Sequence, residues 1–448
     1  MPGIEREFLD RVLPLLAVTA IPVRTYQVLV DTVVVMARGA KEPEIRELAR
    51  LWALPEGPSH LLAGGGELRT TPERAALVNA AGGTFLELDE GVRPTGHPGI
   101  HLVPALLAAA EVDASTLSME AFSRSLLFGY EVTARLARAL AFAPTVHPHG
   151  HIGSVGAAAA IAYLRGHDAD TIARSMALAA SLPLRTDWRP CFTGHTVRNS
   201  YTGVGAGLGY WAVELAEAGF TAEPSAIESL LAPALGGGLD REAFLMDGDW
   251  AISRGYHKFY AGCALTHGAS EAALAIAHRA KLVPEDIAMV EVEVPERFMR
   301  TAGLPNGSRL SAKFSIPWAV AGALLTGRAD ESLYEAAALN DEAIRSVARR
   351  VVSRPAADLS EAFPERAGAR VRVRLTSGEL LNAFCEEPQG GVSRPASWDN
   401  LRIKALSLLP ELDEQDWRAL KAVDNHRTVG AWWTTVLEIL HDRRTQNG

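Results

Sequence analysis

Three histidines, His147, His149 and His151, alternate in the segment His-Pro-His-Gly-His-Ile-Gly-Ser, ahead of an alanine-rich run that ends near Ala162. On a strand, alternate residues share one face, and three imidazoles so placed would suit a metal ion. Pro148, Gly150 and Gly153 make the segment a turn, which does not align the rings. Metal ligation, structural hydrogen bonding and metal-free acid–base or substrate contact are the three readings, and the turn favours the last. The alanine run predicts a tightly packed helix that begins near Gly153 and Ser154, with Ser154 as its N-cap. The unpaired N–H groups and positive dipole end of that helix would face the histidines, a setting that attracts a carboxylate.

Lys258 is the second candidate. Lysine is scarce against arginine, and this one sits among aromatics in Gly255-Tyr256-His257-Lys258-Phe259-Tyr260. Burial there would lower its pKa and make it a general base or acid; a partly exposed structural lysine is the plainer reading. A polar loop from Glu87 to Gly99 holds Glu87, Asp89, Glu90 and His97, which taken alone could be ordinary loop groups. Gly203, Gly205, Gly207 and Gly209 superficially suggest a dinucleotide loop, but no strand precedes them and they run on into helical text. Close helix–helix packing is the reading they support.

The elements that must position these groups follow from periodicity. Helices are predicted over about 5–53 (with 28–37 buried nearly all round), 72–81 with Thr71 capping, 100–112, 119–142, 154–165, 168–181, 203–219 and 264–279. Near Val283 the text changes. Residues 286–295 alternate with period two, and Ala369–Leu375 does so again before the turn 376–379 and a hairpin partner, Leu380–Cys385. Helical text lies at about 312–326, 341–349 and 397–442. The expectation is a mainly α fold with a smaller α+β domain.

Composition sets bounds on function. At 448 residues the chain has room for roughly two or three domains. A formal net charge of −9 with no basic block argues against a nucleic-acid partner. Cys191, Cys263 and Cys385 are odd in number and far apart, which suits a reducing cytosol and no disulfide scaffold. The first residues are acidic and lack an apolar signal core, and no apolar run reaches the roughly 18 residues of a membrane span. A soluble cytoplasmic protein is expected.

Read together, several stretches resemble the MmgE/PrpD family, which includes 2-methylcitrate dehydratase, cis-aconitate decarboxylase and iminodisuccinate epimerase. They are Leu88-Asp89-Glu90 with Gly96-His97-Pro98, Gly129-Tyr130-Glu131-Val132, His147-Pro148 with Gly153-Ser154-Val155-Gly156, and Gly219-Phe220-Thr221. Lys258-Phe259-Tyr260 with Cys263 and Thr266-His267, then Ala312-Lys313-Phe314-Ser315-Ile316-Pro317, complete the series. The resemblance implies a large all-helical domain built from both chain ends (1–275 and 397–448), an α+β lid domain (276–396), a homodimer and a site in the cleft between domains. It implies site roles for Asp89, His97, His147 and Lys258, the last five residues before Cys263.

Two departures stand out. The family's Asp-Phe-Asp-Asp is Glu87-Leu88-Asp89-Glu90 here, and its Lys-Pro-x-His segment is Arg198-Asn199-Ser200-Tyr201. Arginine can grip a carboxylate bidentately but cannot release a proton near neutral pH. The expected function is a cofactor-independent, metal-independent lyase of the 2-methylcitrate dehydratase type that removes water from a small polycarboxylate. An epimerase or isomerase, a cis-aconitate-type decarboxylase and a non-catalytic binding protein are the alternatives. His147 and Lys258 would move protons, His97 would orient substrate or act as a second acid–base group, and Asp89, Arg198, Tyr201, Ser154 and Cys263 would line the substrate.

Overall fold

The computed structural model describes residues 3–112, 117–182 and 185–445. The helical text over 5–53 is three helices, α1 (Ile4–Val18), α2 (Val23–Gly39) and α3 (Pro43–Trp52). Pro22 caps α2 and Pro43 opens α3, positions where a residue without an N–H costs nothing. Next come α4 (Pro72–Phe85), α5 (Pro98–Val112), α6 (Met119–Ala139), α7 (Ile152–Leu164) and α8 (Ala169–Ser181). Ser118 and Asp168 cap α6 and α8 by accepting from the N–H groups of Ala121 and Thr171. A short α9 (Arg189–Thr193) then leads to α10 (Tyr201–Glu217).

The alanine-rich α7 is the hub, packed by α5, α6, α8 and α10, with residues 152–162 all buried. Its small residues let neighbouring backbones close in. A methyl at Gly156 would stand 1.9 Å from Thr133 Oγ1, and one at Gly129 would stand 2.7 Å from Ala160 Cβ. The four alternating glycines of α10 do the same on two faces. A Cβ at Gly203 would lie 2.3 Å from Leu77 O and one at Gly207 3.0 Å from Glu73 O, both on α4. A Cβ at Gly205 would lie 2.9 Å from Gly150 Cα, and one at Gly209 2.5 Å from Ala157 Cβ. These glycines fit helices together, as their context in the sequence indicates.

One expected cap is displaced. α7 starts at Ile152 with His151 in the cap position, two residues earlier than expected. Ser154 lies inside the first turn, and its hydroxyl donates to His151 O at 2.6 Å instead of accepting from an N–H.

The only larger sheet among the described residues has the order β4 (Val351–Pro355), β3 (Ile287–Val294), β5 (Ala369–Leu375), β6 (Leu380–Cys385). β3 runs parallel to β4 and antiparallel to β5, and β5–β6 is the expected hairpin. Val290, Val292 and Val294 of β3 with Val371 and Val373 of β5 form the buried face. The other face carries Glu293 between Arg370 and Arg372, whose guanidinium nitrogens lie 3.1 and 2.7 Å away. Helix His267–Ala277 packs on β5 and β6 after a 3₁₀ turn at Ala264–Thr266, and the helical text over 312–326 is broken into Arg309–Lys313 and Ile316–Thr326. β4 is absent from the sequence expectation, as is the small hairpin of β1 (Ser59–Leu61) and β2 (Leu68–Thr70).

The chain then returns to its beginning. Helix Trp398–Leu408 packs on α2, where Lys404 Nζ reaches Asp31 Oδ1 at 2.7 Å and donates to Leu88 O at 2.8 Å. Trp433 Nε1 donates to Glu111 of α5 at 2.6 Å. Among the described residues no single helix is long and apolar enough to cross a membrane.

Candidate active site

The acidic loop between α4 and α5 is held from three sides. Gly91 and Tyr256 exchange backbone hydrogen bonds of 3.0 and 2.8 Å, which brings Lys258 alongside the loop. Lys404 holds the Leu88 carbonyl from behind. Glu90 accepts from Gly99 N–H at 2.5 Å and from the Tyr130 hydroxyl at 2.8 Å, and burial pushes its pKa up to about 8. Glu87 has φ +56°, a left-handed backbone that non-glycine residues adopt at a cost.

Inside this frame lies a buried network of charges. Lys258 Nζ is 3.2 Å from Asp89 Oδ1 and 3.5 Å from Glu87 Oε2. Arg198 Nη1 pairs with the other oxygen of Glu87, and its guanidinium lies over the Phe314 ring at 5.2 Å. Burial works against the ionised form of Asp89, but Lys258, His97 and Arg198 outweigh it and hold the carboxyl well below its usual range. Lys258 behaves likewise: burial pulls its pKa down, yet Asp89 and Glu87 hold it above the ordinary lysine value. The depressed lysine pKa expected from the aromatic setting is therefore corrected. Lys258 is an ammonium held between the two carboxylates. Arg198 is likewise occupied, with Glu87 where a substrate carboxylate was expected.

His97 hangs at the edge of the network. Its Nδ1 is 2.8 Å from Glu90 O and 2.8 Å from Asp89 Oδ2. A carbonyl oxygen only accepts, so Nδ1 carries a proton, and in the neutral ring it is Nε2 that keeps the lone pair. That Nε2 has no hydrogen-bond partner among the described residues. One turn on, His101 donates from Nδ1 to His97 O at 2.8 Å and accepts from Gly150 N–H at 3.3 Å. It ties the acidic loop to the histidine turn.

In that turn the buried Thr186 hydroxyl lies 2.7 Å from His147 O, 3.0 Å from His149 O and 2.8 Å from His151 Nε2. His147 Nδ1 accepts from His149 N–H at 3.2 Å, so its proton sits on Nε2, a buried atom with no partner. Burial, aided by Arg198 and His97, keeps the His147 pKa far below the usual value, and the ring is a neutral donor. His151 and His101 are both lowered to about 4, chiefly by burial. The His149 ring stands 4.7 Å from His97 and 4.4 Å from His147 and fills the space between them.

A metal reading can be tested on this geometry. The three histidines of the turn do not converge; the set whose ligand atoms lie within 4.8 Å of one another is Asp89, His97 and His149. Asp89 already has an ammonium 3.2 Å away, so a divalent cation would enter beside a fixed positive charge. The donor set does not fit a metal ion.

The remaining expected residues are distributed unevenly. Tyr201 is half-buried, with its ring 5.8 Å from His147. Cys263 packs with Cys191, Leu310 and Phe314, and burial raises the two thiols to about 11 and 12, which keeps them protonated. Ser154 is buried, and its hydroxyl proton goes to the His151 carbonyl. Two residues that sequence reasoning missed complete the surroundings. Trp188 lies 4.1 Å from the His147 ring, and Arg300, from the 3₁₀ turn Glu296–Thr301 that follows β3, lies 4.7 Å over Trp188. Neither belongs to a periodic or motif-like pattern; only the fold brings them here.

No curated protein matches this chain. Family models do. One describing the MmgE/PrpD N-terminal domain matches residues 18–230, a span that holds the acidic loop, the histidine turn and Arg198. A second, for the MmgE/PrpD C-terminal domain, matches residues 260–426, which hold the sheet and Arg300. With both halves matched in order around one buried cluster of charges and imidazoles, the chain belongs to the MmgE/PrpD family.

Proposed function

We propose that this protein is a lyase that removes water from a small polycarboxylate by taking a proton next to a carboxylate. Family membership supports dehydratase-like chemistry in general terms. The observation that carries the specific reading is a pair of imidazoles with opposite tautomers. His97, with Asp89 behind Nδ1, presents a free Nε2 lone pair, and His147 presents an unpartnered Nε2–H.

In this reading His97 Nε2 abstracts the proton, and Asp89 stabilises the imidazolium that forms. The electron pair left on carbon becomes the new C=C bond as the hydroxyl departs. The imidazolium of His97 returns its proton to that hydroxyl, so water leaves and the base is restored. His147 stays neutral throughout and donates to the charge that develops on the substrate carboxylate. Lys258 and Arg198 act through the acidic loop: they keep Asp89 ionised, hold Glu87 in place, and move no proton. Every step is assigned to side chains of this chain and none to a cofactor. Homodimer formation and a cytoplasmic setting belong to the same proposal; the three free, buried cysteines support the latter.

The test is proton NMR in D2O with chelator-treated protein and 2-methylcitrate, citrate, cis-aconitate or iminodisuccinate, run beside His97→Asn. New alkene signals with the wild type alone support the dehydratase. Deuterium wash-in without elimination would replace it with the epimerase, loss of carbon dioxide with the decarboxylase, and inertness toward all four would favour a binding protein.

A further inference from the structure

One cation close to the histidine turn has no hydrogen-bond or ion-pair partner among the described residues. Among the described residues, Arg198 is matched by Glu87, Lys258 by Asp89 and Glu87, Lys404 by Asp31, and Arg93 by Glu387 at 2.8 Å. Lys313, also buried, donates to Phe85 O at 2.8 Å. Among the described residues Arg300 has neither a carboxylate nor a carbonyl partner. Its Nε is buried without a partner, and its guanidinium carbon sits 4.7 Å over the Trp188 ring. Burial lowers its pKa, and the Trp188 ring beneath it packs against the cluster that holds Cys263 and Cys191.

We propose that Arg300 anchors a substrate carboxylate remote from the reacting carbon, so that the substrate spans from the His97–His147 pair to the turn after β3. The inference rests on the lyase reading for the identity of the reacting end and deepens it by placing a second carboxylate. Three features favour this occupant. A guanidinium lying over an indole ring keeps its N–H edge free, and a carboxylate matches that edge with two parallel hydrogen bonds. An arginine with a buried, unpaired nitrogen carries a desolvation cost that an anion relieves. Trp188 also touches the His147 ring, 4.1 Å between centroids, which sets the anchor one aromatic ring from the proposed donor. Arg198, the residue first expected to hold a carboxylate, is ion-paired with Glu87, although its Nε, like that of Arg300, is buried without a hydrogen-bond partner.

The experiment uses the full chain and two unreactive probes, tricarballylate with three carboxylates and glutarate with two. Binding to wild type, Arg300→Gln and Arg300→Lys is measured by calorimetry, with melting temperature as the folding control. Wild type should prefer tricarballylate. Arg300→Gln should weaken tricarballylate roughly tenfold to hundredfold, the range of a lost charged hydrogen-bonded pair, while glutarate changes by less than about threefold. Arg300→Lys, which keeps charge without the fork, should recover part of the preference. On a substrate that turns over, the Gln variant should raise KM with little change in kcat.

Equal losses for both probes would show that Arg300 only braces Trp188, and an unchanged preference or no binding of either probe by wild type would also overturn the proposal. Should Arg300→Gln not fold, the Lys variant and the wild-type preference decide in its place. Failure of the lyase reading looks different: no turnover on any compound, with Arg300-dependent tricarballylate binding intact.

Discussion

The acidic loop and the histidine turn sit side by side yet solve burial in opposite ways. In the loop, charge is retained at Asp89, which Lys258, His97 and Arg198 hold below its usual range, while Arg198 and Lys258 also lie within ion-pair distance of Glu87. In the turn, charge is expelled: His147, His149, His101 and His151 all have lowered pKa values, with burial as the first cause. His97 stands on the border and takes its tautomer from the loop, while His147 takes the reverse tautomer from the turn. Two identical side chains thereby acquire different chemistry from their surroundings, one as proton acceptor and one as donor.

The sharpest way to break this comparison is to exchange the histidines for glutamine. His97→Gln removes the lone pair that accepts the proton and should cost turnover roughly 10²- to 10⁴-fold. His147→Gln keeps an N–H donor, so its loss should be smaller, on the order of tenfold to a hundredfold, the worth of an imperfectly placed donor. Equal losses in steady-state kinetics would erase the distinction between the two rings.

Next in size is the support behind the loop. Lys404→Met leaves Asp31 buried and unpaired and should destabilise the fold by about 3–5 kcal/mol in urea titration. Support behind the turn is steric instead: Gly209→Ala places a methyl 2.5 Å from Ala157 Cβ and should cost about 1–3 kcal/mol.

The pH dependence of stability separates the regions with a smaller effect. Glu90 has its pKa raised from 4.5 to about 8, so the folded state binds the extra proton across that interval and stability falls as pH rises through it. Glu90→Gln should flatten that slope. His101 and His151, lowered from 6.5 to about 4, bind fewer protons folded than unfolded, so stability falls as pH drops from 6.5 toward 4. Melting temperature measured against pH should pass through a maximum between these limits, and in Glu90→Gln the fall on its alkaline side should flatten while the rise on its acid side steepens. Smallest of all, prolonged chelation should leave turnover and melting temperature unchanged, since Lys258 stands where a cation would sit.

Where a pattern repeats over many residues, the fold was legible. The apolar stretch over 28–37, the alanines of α7, the alternation of β3 and the β5–β6 hairpin each declare themselves by period. β4 does not, because its five residues are half-exposed or exposed and carry no alternation. At the site, the histidine segment and the aromatic setting of Lys258 stood out from the residues alone, while Asp89 and His97 entered through the family resemblance. Their charge states were another matter. An aromatic neighbourhood suggests a depressed lysine, but the deciding partners of Lys258 lie about 170 residues away in sequence. Ser154 was misjudged for a similar reason: a hydroxyl near a helix start can face N–H or C=O, and only the position of His151 decides. Arg300 carried no signal because its meaning is the absence of a partner.

Lys404 also bears on how the molecule is made. A ribosome delivers the acidic loop, the histidine turn and Lys258 long before residue 404, yet Leu88 O and Asp31 both wait for that one side chain. Domains built from contiguous sequence can finish folding during synthesis; here the wall behind the site stays unfinished until helix Trp398–Leu408 has left the exit tunnel and docked on α2. Nascent chains therefore carry every proposed catalytic side chain without the framework to use them, and chemistry begins only after that helix has docked.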